Sequence, residues 1–389
     1  MIIAPILPRI GEELAIPETL QGTLISAYGI LLGIFALIIG PISDKIGRRR
    51  VLLIGSGCMT LALGLHAAAI DYISLMIVRA LAGAAGGLLS GAAVSYVGDY
   101  FPYERRGWAN GWIMSGVAFG QIIGIPLGTV LAEAFGFRIP FLLFSLVMAG
   151  SFLLILLKVP QPQVQLDQNP LSVRSALSNY VRMLGNPQIA AAGATFFLLF
   201  FAIALYVVYL PTWIESSLGV SGNEVAIMFL VGGVASVISG PQAGKLSDRL
   251  GRKPLIILSC IGMAVVSVVT TTLATSILVA YVLFCLAMVL MSMRISPLQA
   301  LLTALVPASR RGTLLSLTVA IGQIGISIGG AIAGPVYTYA GFFASTALAA
   351  IALMLTAWVV GAMLPEPSHE VELTKGRQIP TPIASSVTE

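Results

Sequence analysis

Eleven stretches of this chain are apolar almost without interruption. They cover residues 20–42, 51–70, 73–98, 108–135, 138–158, 188–213, 224–246, 255–275, 277–304, 313–339 and 342–364. Each is long enough to cross roughly 30 Å of hydrocarbon as a helix rising 1.5 Å per residue. A twelfth is partial, because Met1 to Pro8 is apolar but rises only about 12 Å before Arg9 and the polar Gly11-Glu12-Glu13. Two explanations stay open for it: a start codon assigned too far downstream, or a shortened first span. A secretory signal is not expected, since no basic start or small-residue cleavage site flanks the segment. The pattern predicts an all-α membrane protein of twelve spans with the first one truncated.

Composition agrees, at 57% apolar and 10% charged residues with a mean hydropathy of +0.97, far from soluble domains. The basic residues are placed unevenly. One set of connections carries Lys45, Arg48, Arg49, Arg50, Arg105, Arg106, Lys158, Arg174, Arg182, Lys245, Arg249, Arg252, Lys253, Arg310, Arg311, Lys375 and Arg377, and the opposite set only Arg9 and Arg138. Because Lys and Arg concentrate in cytoplasmic loops, the first set is predicted to be cytoplasmic, with both termini inside if the first span is complete, in a multi-pass protein of the cytoplasmic membrane. The net charge of +5 is explained by topology and anionic lipid, so no nucleic-acid partner is expected. Cys58, Cys260 and Cys285 stand alone in apolar runs and read as core residues; no metal site or cofactor is expected. The run Gly240-Pro-Gln-Ala-Gly244-Lys245 fails as a phosphate loop on spacing and lacks Ser or Thr after the lysine. An enzyme is not expected.

Composition shifts between Pro160 and Pro187, which divides the chain into an N-terminal bundle (1–158), a linker (159–187), a C-terminal bundle (188–364) and a polar tail (365–389). In the linker, Asn169-Pro170 can start a helix, and Val173, Leu177, Tyr180, Val181 and Leu184 share one face opposite Arg174, Ser178 and Arg182. This suits a short amphipathic helix on the membrane surface; a disordered linker is the alternative. The tail has no apolar periodicity and is expected to be disordered.

A repeat then ties the halves together. Gly40-Pro-Ile-Ser-Asp44-Lys-Ile-Gly47-Arg48 recurs 204 residues later as Gly244-Lys-Leu-Ser-Asp248-Arg-Leu-Gly251-Arg252. Phe101-Pro102 with Arg105-Arg106-Gly107 recurs 205 residues later as Val306-Pro307 with Arg310-Arg311-Gly312, as does Gly136-Phe137 at Gly341-Phe342. Glycines allow a tight turn at the membrane surface, and Asp44 is placed to cap the positive N-terminus of a neighbouring helix. With this doubled loop the chain resembles the major facilitator superfamily, whose members have two six-helix bundles in pseudo-twofold arrangement.

The resemblance implies a transporter working by alternating access, with Gly40, Asp44, Gly47, Arg48, Gly244, Asp248, Gly251 and Arg252 forming a cytoplasmic gate against the start of span eleven. The family's pairing implies that Asp99, at the end of span four, joins Arg48; the corresponding position in the second half is Ala304, so the first copy is expected to be the stronger latch. Arg79, in Arg79-Ala-Leu-Ala-Gly83-Ala-Ala-Gly86, resembles a pattern associated with proton transfer. An arginine in hydrocarbon is costly without a polar partner, and snorkelling to the outer surface is its alternative reading. Arg294 in span ten is expected either to face the cavity or to pair with carbonyls near Pro297. Gly116, Gly120, Gly124, Pro126 and Gly128 in span five resemble an antiporter signature, although Ile125 separates Gly124 from Pro126. Their smooth face is expected to pack on Gly232, Ser236, Gly240 and Gly244 of span eight.

By resemblance the cavity lies between spans one, four, seven and ten. Gln121, Tyr206, Tyr209, Gln299 and Gln323 are candidate lining residues, each also readable as helix packing. Few charges there suit a small neutral or lipophilic solute, and the expected activity is proton-coupled drug or sugar efflux by a monomer. A facilitator or an uptake symporter is the alternative, and a non-transporting receptor a remote one. None of the sixteen acidic residues lies near the middle of a full span, which leaves the proton carrier unassigned.

Overall fold

The computed structural model describes residues 3–101, 105, 109, 112, 113, 116, 119–162, 173–306 and 311–365. The tail beyond 365, linker residues 163–172, and the repeated segments around Pro102 and Pro307 lie outside them. In chain order, a 3-10 turn at Ala4–Ile6 leads into α1 (Leu7–Glu13), α2 (Glu18–Gln21), α3 (Thr23–Ile46), α4 (Arg48–Leu65), α5 (Tyr72–Leu89) and α6 (Ala92–Tyr100). A π-helical turn at Gly120–Gly124 precedes α7 (Ile125–Phe135), α8 (Arg138–Lys158) and α9 (Val173–Leu184). Then follow α10 (Pro187–Val207), α11 (Leu210–Leu218), α12 (Gly222–Leu250), α13 (Arg252–Leu273), α14 (Ile277–Ala304) and α15 (Arg311–Met363). Among the described residues nine helical stretches are long and apolar enough to cross a membrane, and Ile122–Phe135 is a shorter one. The last stretch is two spans, since α15 bends at Gly341 (φ 77°, ψ 172°). The fold is that of an all-helical membrane protein.

The halves repeat each other in backbone conformation as well as sequence. Gly47 (φ 94°, ψ 141°) and Gly251 (φ 93°, ψ 148°) end α3 and α12 identically, each donating its N–H to the serine four residues back at 3.0 Å. Positive φ is open to glycine and strained for other residues, which explains why the repeated loop keeps glycine there. Gly136 and Gly341 share the conformation too, at φ 86° and 77°, and the phenylalanine after each is buried. The register extends to a pair hidden in the sequence: Ala15 (φ 50°) occupies the position 204 residues before Gly219 (φ 64°). The turn after α1 is therefore the counterpart of the turn after α11.

Ala15 holds a conformation that costs an L-residue about 1–2 kcal/mol, against roughly 0.5–1 kcal/mol of extra chain entropy for glycine. Ala15→Gly is expected to stabilise the fold by about 0.5–1 kcal/mol. The readout is a thermal unfolding midpoint raised by about 1–3 °C; a lower midpoint would show that the turn carries no strain.

Two predicted spans are interrupted. The span predicted over 73–98 breaks at Ser90-Gly91, where Gly91 is left-handed (φ 73°) and starts α6. The span over 188–213 breaks at Val208-Tyr209 before Pro211, whose missing N–H ends the ladder of α10. The π-turn before α7 likewise sits directly ahead of Pro126, a common place for a helix to absorb a missing donor. The amphipathic helix expected in the linker is present as α9. Its Tyr180 hydroxyl donates to the Leu37 carbonyl, four residues before Pro41, which has no N–H to offer that oxygen.

Candidate functional site

Between the halves lies a cavity of about 270 Å³. Ile3 and Ala4 cover one side, α3 supplies Ile25, Tyr28 and Leu32, α5 supplies Arg79, α10 supplies Phe200, Ile203, Ala204 and Val207, and Val208 follows at its end. Gln323 and Ile326 of α15 complete it. The lining is apolar except for Tyr28, Arg79 and Gln323. Arg79 stands eight residues into the span that starts at Tyr72, about 12 Å below its end, and is only 6% exposed. Its Nε donates to the Leu24 carbonyl at 3.4 Å and its guanidinium lies over the Tyr28 ring at 4.7 Å. The side chain thus turns inward to the cavity and does not snorkel.

One end of this cavity is shut by backbone meeting backbone. A Cβ on Gly22 would overlap the Gly330 carbonyl, one on Gly29 the Ser327 hydroxyl, and one on Gly334 the Thr19 carbonyl. The absence of side chains lets α3 and α15 touch, as small-residue faces do in membranes. Ser26 adds a hydrogen bond to the Ser327 carbonyl. Tyr209 pins the start of α3 from the other half: its hydroxyl donates to the Glu18 carbonyl and accepts from Gly22 N at 3.0 Å, while its ring stacks on Tyr337.

Beside this seam α7 meets the start of α12, enclosing a polar pocket of about 130 Å³ lined in part by Arg9, Glu12, Glu133, Glu215 and Gly222. From the position of a Gly222 Cβ, Glu133 Oε2 is 2.8 Å away and Glu215 Oε1 is 3.7 Å away, so carboxylates from the two halves converge there. Arg9 and Arg138, the two basic residues of this face, both pair with Glu13, at 3.4 and 3.2 Å. Glu13 also accepts from Phe137 N, and Arg138 reaches the Ala69 carbonyl. Asp71, which caps α5 here, has its carboxyl held below the usual range by hydrogen bonds from the Ser74 hydroxyl and amide.

The basic end is built differently. Arg48 Nε donates to Asp99 Oδ2 at 3.0 Å, joining the first residue of α4 to the end of α6 within one half. Arg49 donates to the Leu156 and Val159 carbonyls at 2.8 and 2.6 Å, placing a cation on the C-terminal carbonyls of α8. Sequence reasoning missed that contact, although three consecutive arginines starting a helix signal it. Among the described residues nothing lies within 4 Å of a Cβ placed on Gly116, Gly120 or Gly240. The tight backbone contacts between halves, at Gly22, Gly29 and Gly334, thus gather at the end opposite the basic one.

A profile of the Major Facilitator Superfamily matches residues 1–215 and again 192–387. The chain belongs to the major facilitator superfamily. Among its curated relatives, an uncharacterized MFS-type transporter, YceJ of Bacillus subtilis, is 23% identical over 359 residues, 91% of this chain and 90% of the relative. Multidrug resistance protein MdtG of Proteus mirabilis is 27% identical over 286 residues, 71% of this chain and 69% of the relative. A D-xylose-proton symporter of known structure superposes with a TM-score of 0.77 at 18% identity, over 94% of each chain, a likeness of fold. This superfamily member is a multi-pass membrane transporter and not an enzyme.

Several positions singled out in the transporter's sequence lie elsewhere than expected. Of the five candidate lining residues only Gln323 borders the cavity among the described side chains. Tyr206 is buried inside the C-terminal bundle, bonded to Thr270 Oγ1 at 3.1 Å; Tyr209 serves the closed seam; Gln299 is exposed. The Gln121 side chain is outside the described residues, and α14 contributes nothing described to the lining, where α3 and α15 take the place expected of span ten. Spans five and eight do pack together across the halves, with α7 and the π-turn before it lying against α12, but the glycines are not the points of closest approach: Gly124 has only a Phe144 ring atom at 4.0 Å, and Gly232 packs on Phe284 and Met288 of its own half. Gly128 and Pro126 are buried in α7. Arg294 is 3% exposed and borders neither cavity. Its terminal nitrogens find no hydrogen-bond partner among the described residues, so the expected pairing with carbonyls near Pro297 is not seen. Side chains of Asp44 and Asp248, with Gly40, fall outside the described set. The surroundings of Arg311 and Gly312, which begin span eleven as the first residues of α15, likewise fall outside it; Gly244 lies within α12, and Arg252 begins α13.

Proposed function

We propose that this transporter exports a small lipophilic solute by alternating access, with protons moving the other way, across a cytoplasmic membrane whose inner face meets the basic end. The observation that carries the reading is the 270 Å³ cavity at the junction of the halves, closed at the end opposite the basic one by the α3–α15 glycine seam. On the positive-inside rule this is an inward-facing state, ready to load from the cytoplasm. Its largely apolar wall supports a lipophilic cargo, and the relatives named multidrug resistance proteins support the outward direction. The cavity is complete within one chain, which supports a monomer.

The loop Gly40 to Arg48 acts as the inner gate, with Arg48–Asp99 bracing it. Coupling is assigned to Glu133 and Glu215, which approach from opposite halves at the outer seam. Two ionised carboxylates there repel and favour opening; a proton from outside relieves the repulsion and lets the seam close.

The test uses purified protein in inside-out vesicles with an imposed proton gradient and a panel of small aromatic acids, amides, alcohols and amines. Gradient-dependent accumulation of a panel member is expected, abolished by an uncoupler. Glu215→Gln is expected to retain solute exchange while losing the gradient dependence. Accumulation only in right-side-out vesicles would make the protein an uptake carrier, and no flux of any solute would end the transport reading.

A further inference from the structure

We infer that the cargo carries one anionic group, a carboxylate or similar weak-acid head on an apolar body, and that Arg79 receives it. The inference rests on the transport reading above and names its substrate class. It begins with a charge that the chain does not balance. A guanidinium stays protonated in proteins, and burying one without a partner is expensive. Among the described residues Arg79 makes one hydrogen bond, to a backbone carbonyl at 3.4 Å, and one ring contact with Tyr28. None of the ion pairs between described residues includes it. The sequence supplies no carboxylate at this depth either, because all sixteen acidic residues lie at span ends, in loops or in the tail.

The remaining donors of Arg79 are left for whatever enters the cavity that the side chain lines. The rest of that wall fixes the character of the occupant. Phe200, Ile203 and Val207 of α10 offer only apolar surface, and Gln323 adds one neutral amide from α15. A cation would be repelled by Arg79, a neutral molecule would leave the arginine unpaired, and a dianion would bury a second charge with no partner. A monoanion with an apolar body satisfies every wall. A cavity of about 150 Å³ holds benzene, so 270 Å³ has room for about ten non-hydrogen atoms. Such a ligand touches α5 of one half and α10 and α15 of the other, giving it contacts that depend on how the halves are arranged.

The experiment is calorimetric titration of the full chain in lipid nanodiscs with three probes of one shape: 4-methylbenzoate, 4-methylbenzamide and 4-methylbenzylamine. The acid is expected to bind at least tenfold more tightly than the amide, and the amine not to bind measurably. Arg79→Gln is expected to weaken the acid by roughly tenfold to a hundredfold, the worth of a charge-assisted hydrogen bond, and to erase the preference for acid over amide. Arg79→Lys, which keeps the charge, is expected to retain part of both, and it decides the matter should Arg79→Gln fail to fold. Equal binding of amide and acid, binding of the amine, an acid affinity indifferent to Arg79, or no binding of the acid would each overturn the inference. Transport itself is judged separately by the vesicle flux, so an anion-blind protein that still pumps refutes only the substrate class.

Discussion

Gly22→Val is expected to abolish active flux and to hold the transporter open at its outer end. Even a single Cβ at this position overlaps the Gly330 carbonyl, and the obstacle is backbone, which cannot rotate aside as a side chain can. Overpacking a core typically costs about 1–3 kcal/mol; at a backbone crossing the upper part of that range applies. A bias of about 3 kcal/mol moves a two-state equilibrium by more than a hundredfold, enough to empty the inward-facing state. The displaced helix also loses the bond from Gly22 N to the Tyr209 hydroxyl. A single cysteine at Val220, which lines the outer pocket, reports the change in a background without Cys58, Cys260 and Cys285. Its labelling by an impermeant reagent from outside should rise sharply with Gly22→Val. Unchanged labelling and normal flux would show that α3 and α15 need not touch during transport.

Reversing Arg48 to Glu is the second large effect expected, because it sets two like charges where a 3.0 Å ion pair now stands. The partners are 17% and 26% exposed at the side chain, between a surface pair worth about 0–1 kcal/mol and a buried one whose breakage costs about 3–5 kcal/mol. The expected loss is therefore about 1–3 kcal/mol in holding α4 against α6. Flux should fall roughly tenfold while the protein still inserts and folds, with its unfolding midpoint lowered by a few degrees. Combining Arg48→Asp with Asp99→Arg should recover a substantial part of the flux. Failure of the exchanged pair to recover anything would mean that Arg48 acts through another contact.

Much of the architecture was legible because membranes impose long apolar runs, and because glycine marks where the backbone must turn left-handed. Gly47 and Gly251, or Gly136 and Gly341, could be paired by sequence register alone, and their backbone angles agree within about 10°. Ala15 escaped because its strained angle belongs to a residue type that does not advertise one. The seam escaped for another reason. Spans five and eight carry the more regular small-residue spacing and do pack together, but the tightest backbone crossings fall at Gly22 and Gly29, which with Gly33 lie at uneven intervals. Periodicity reports that a helix face is smooth; it does not name the helix that fills it. Tyr209 illustrates the same limit, since an aromatic with a hydroxyl suits a ligand cavity and a backbone clasp equally well, and only the neighbouring Glu18 carbonyl and Gly22 amide distinguish them.

The glycines with no described neighbour acquire meaning from this contrast. Gly116, Gly120 and Gly240 have no described atom within 4 Å of a Cβ placed on them, and each lowers helix propensity by about 1 kcal/mol relative to alanine. A protein that lived in one shape would gain by filling them. Left bare, they keep two helix faces smooth, the same property that lets α3 and α15 touch at Gly22 and Gly29. On the alternating-access reading proposed above, such smooth faces are what the second arrangement of the halves would pack together.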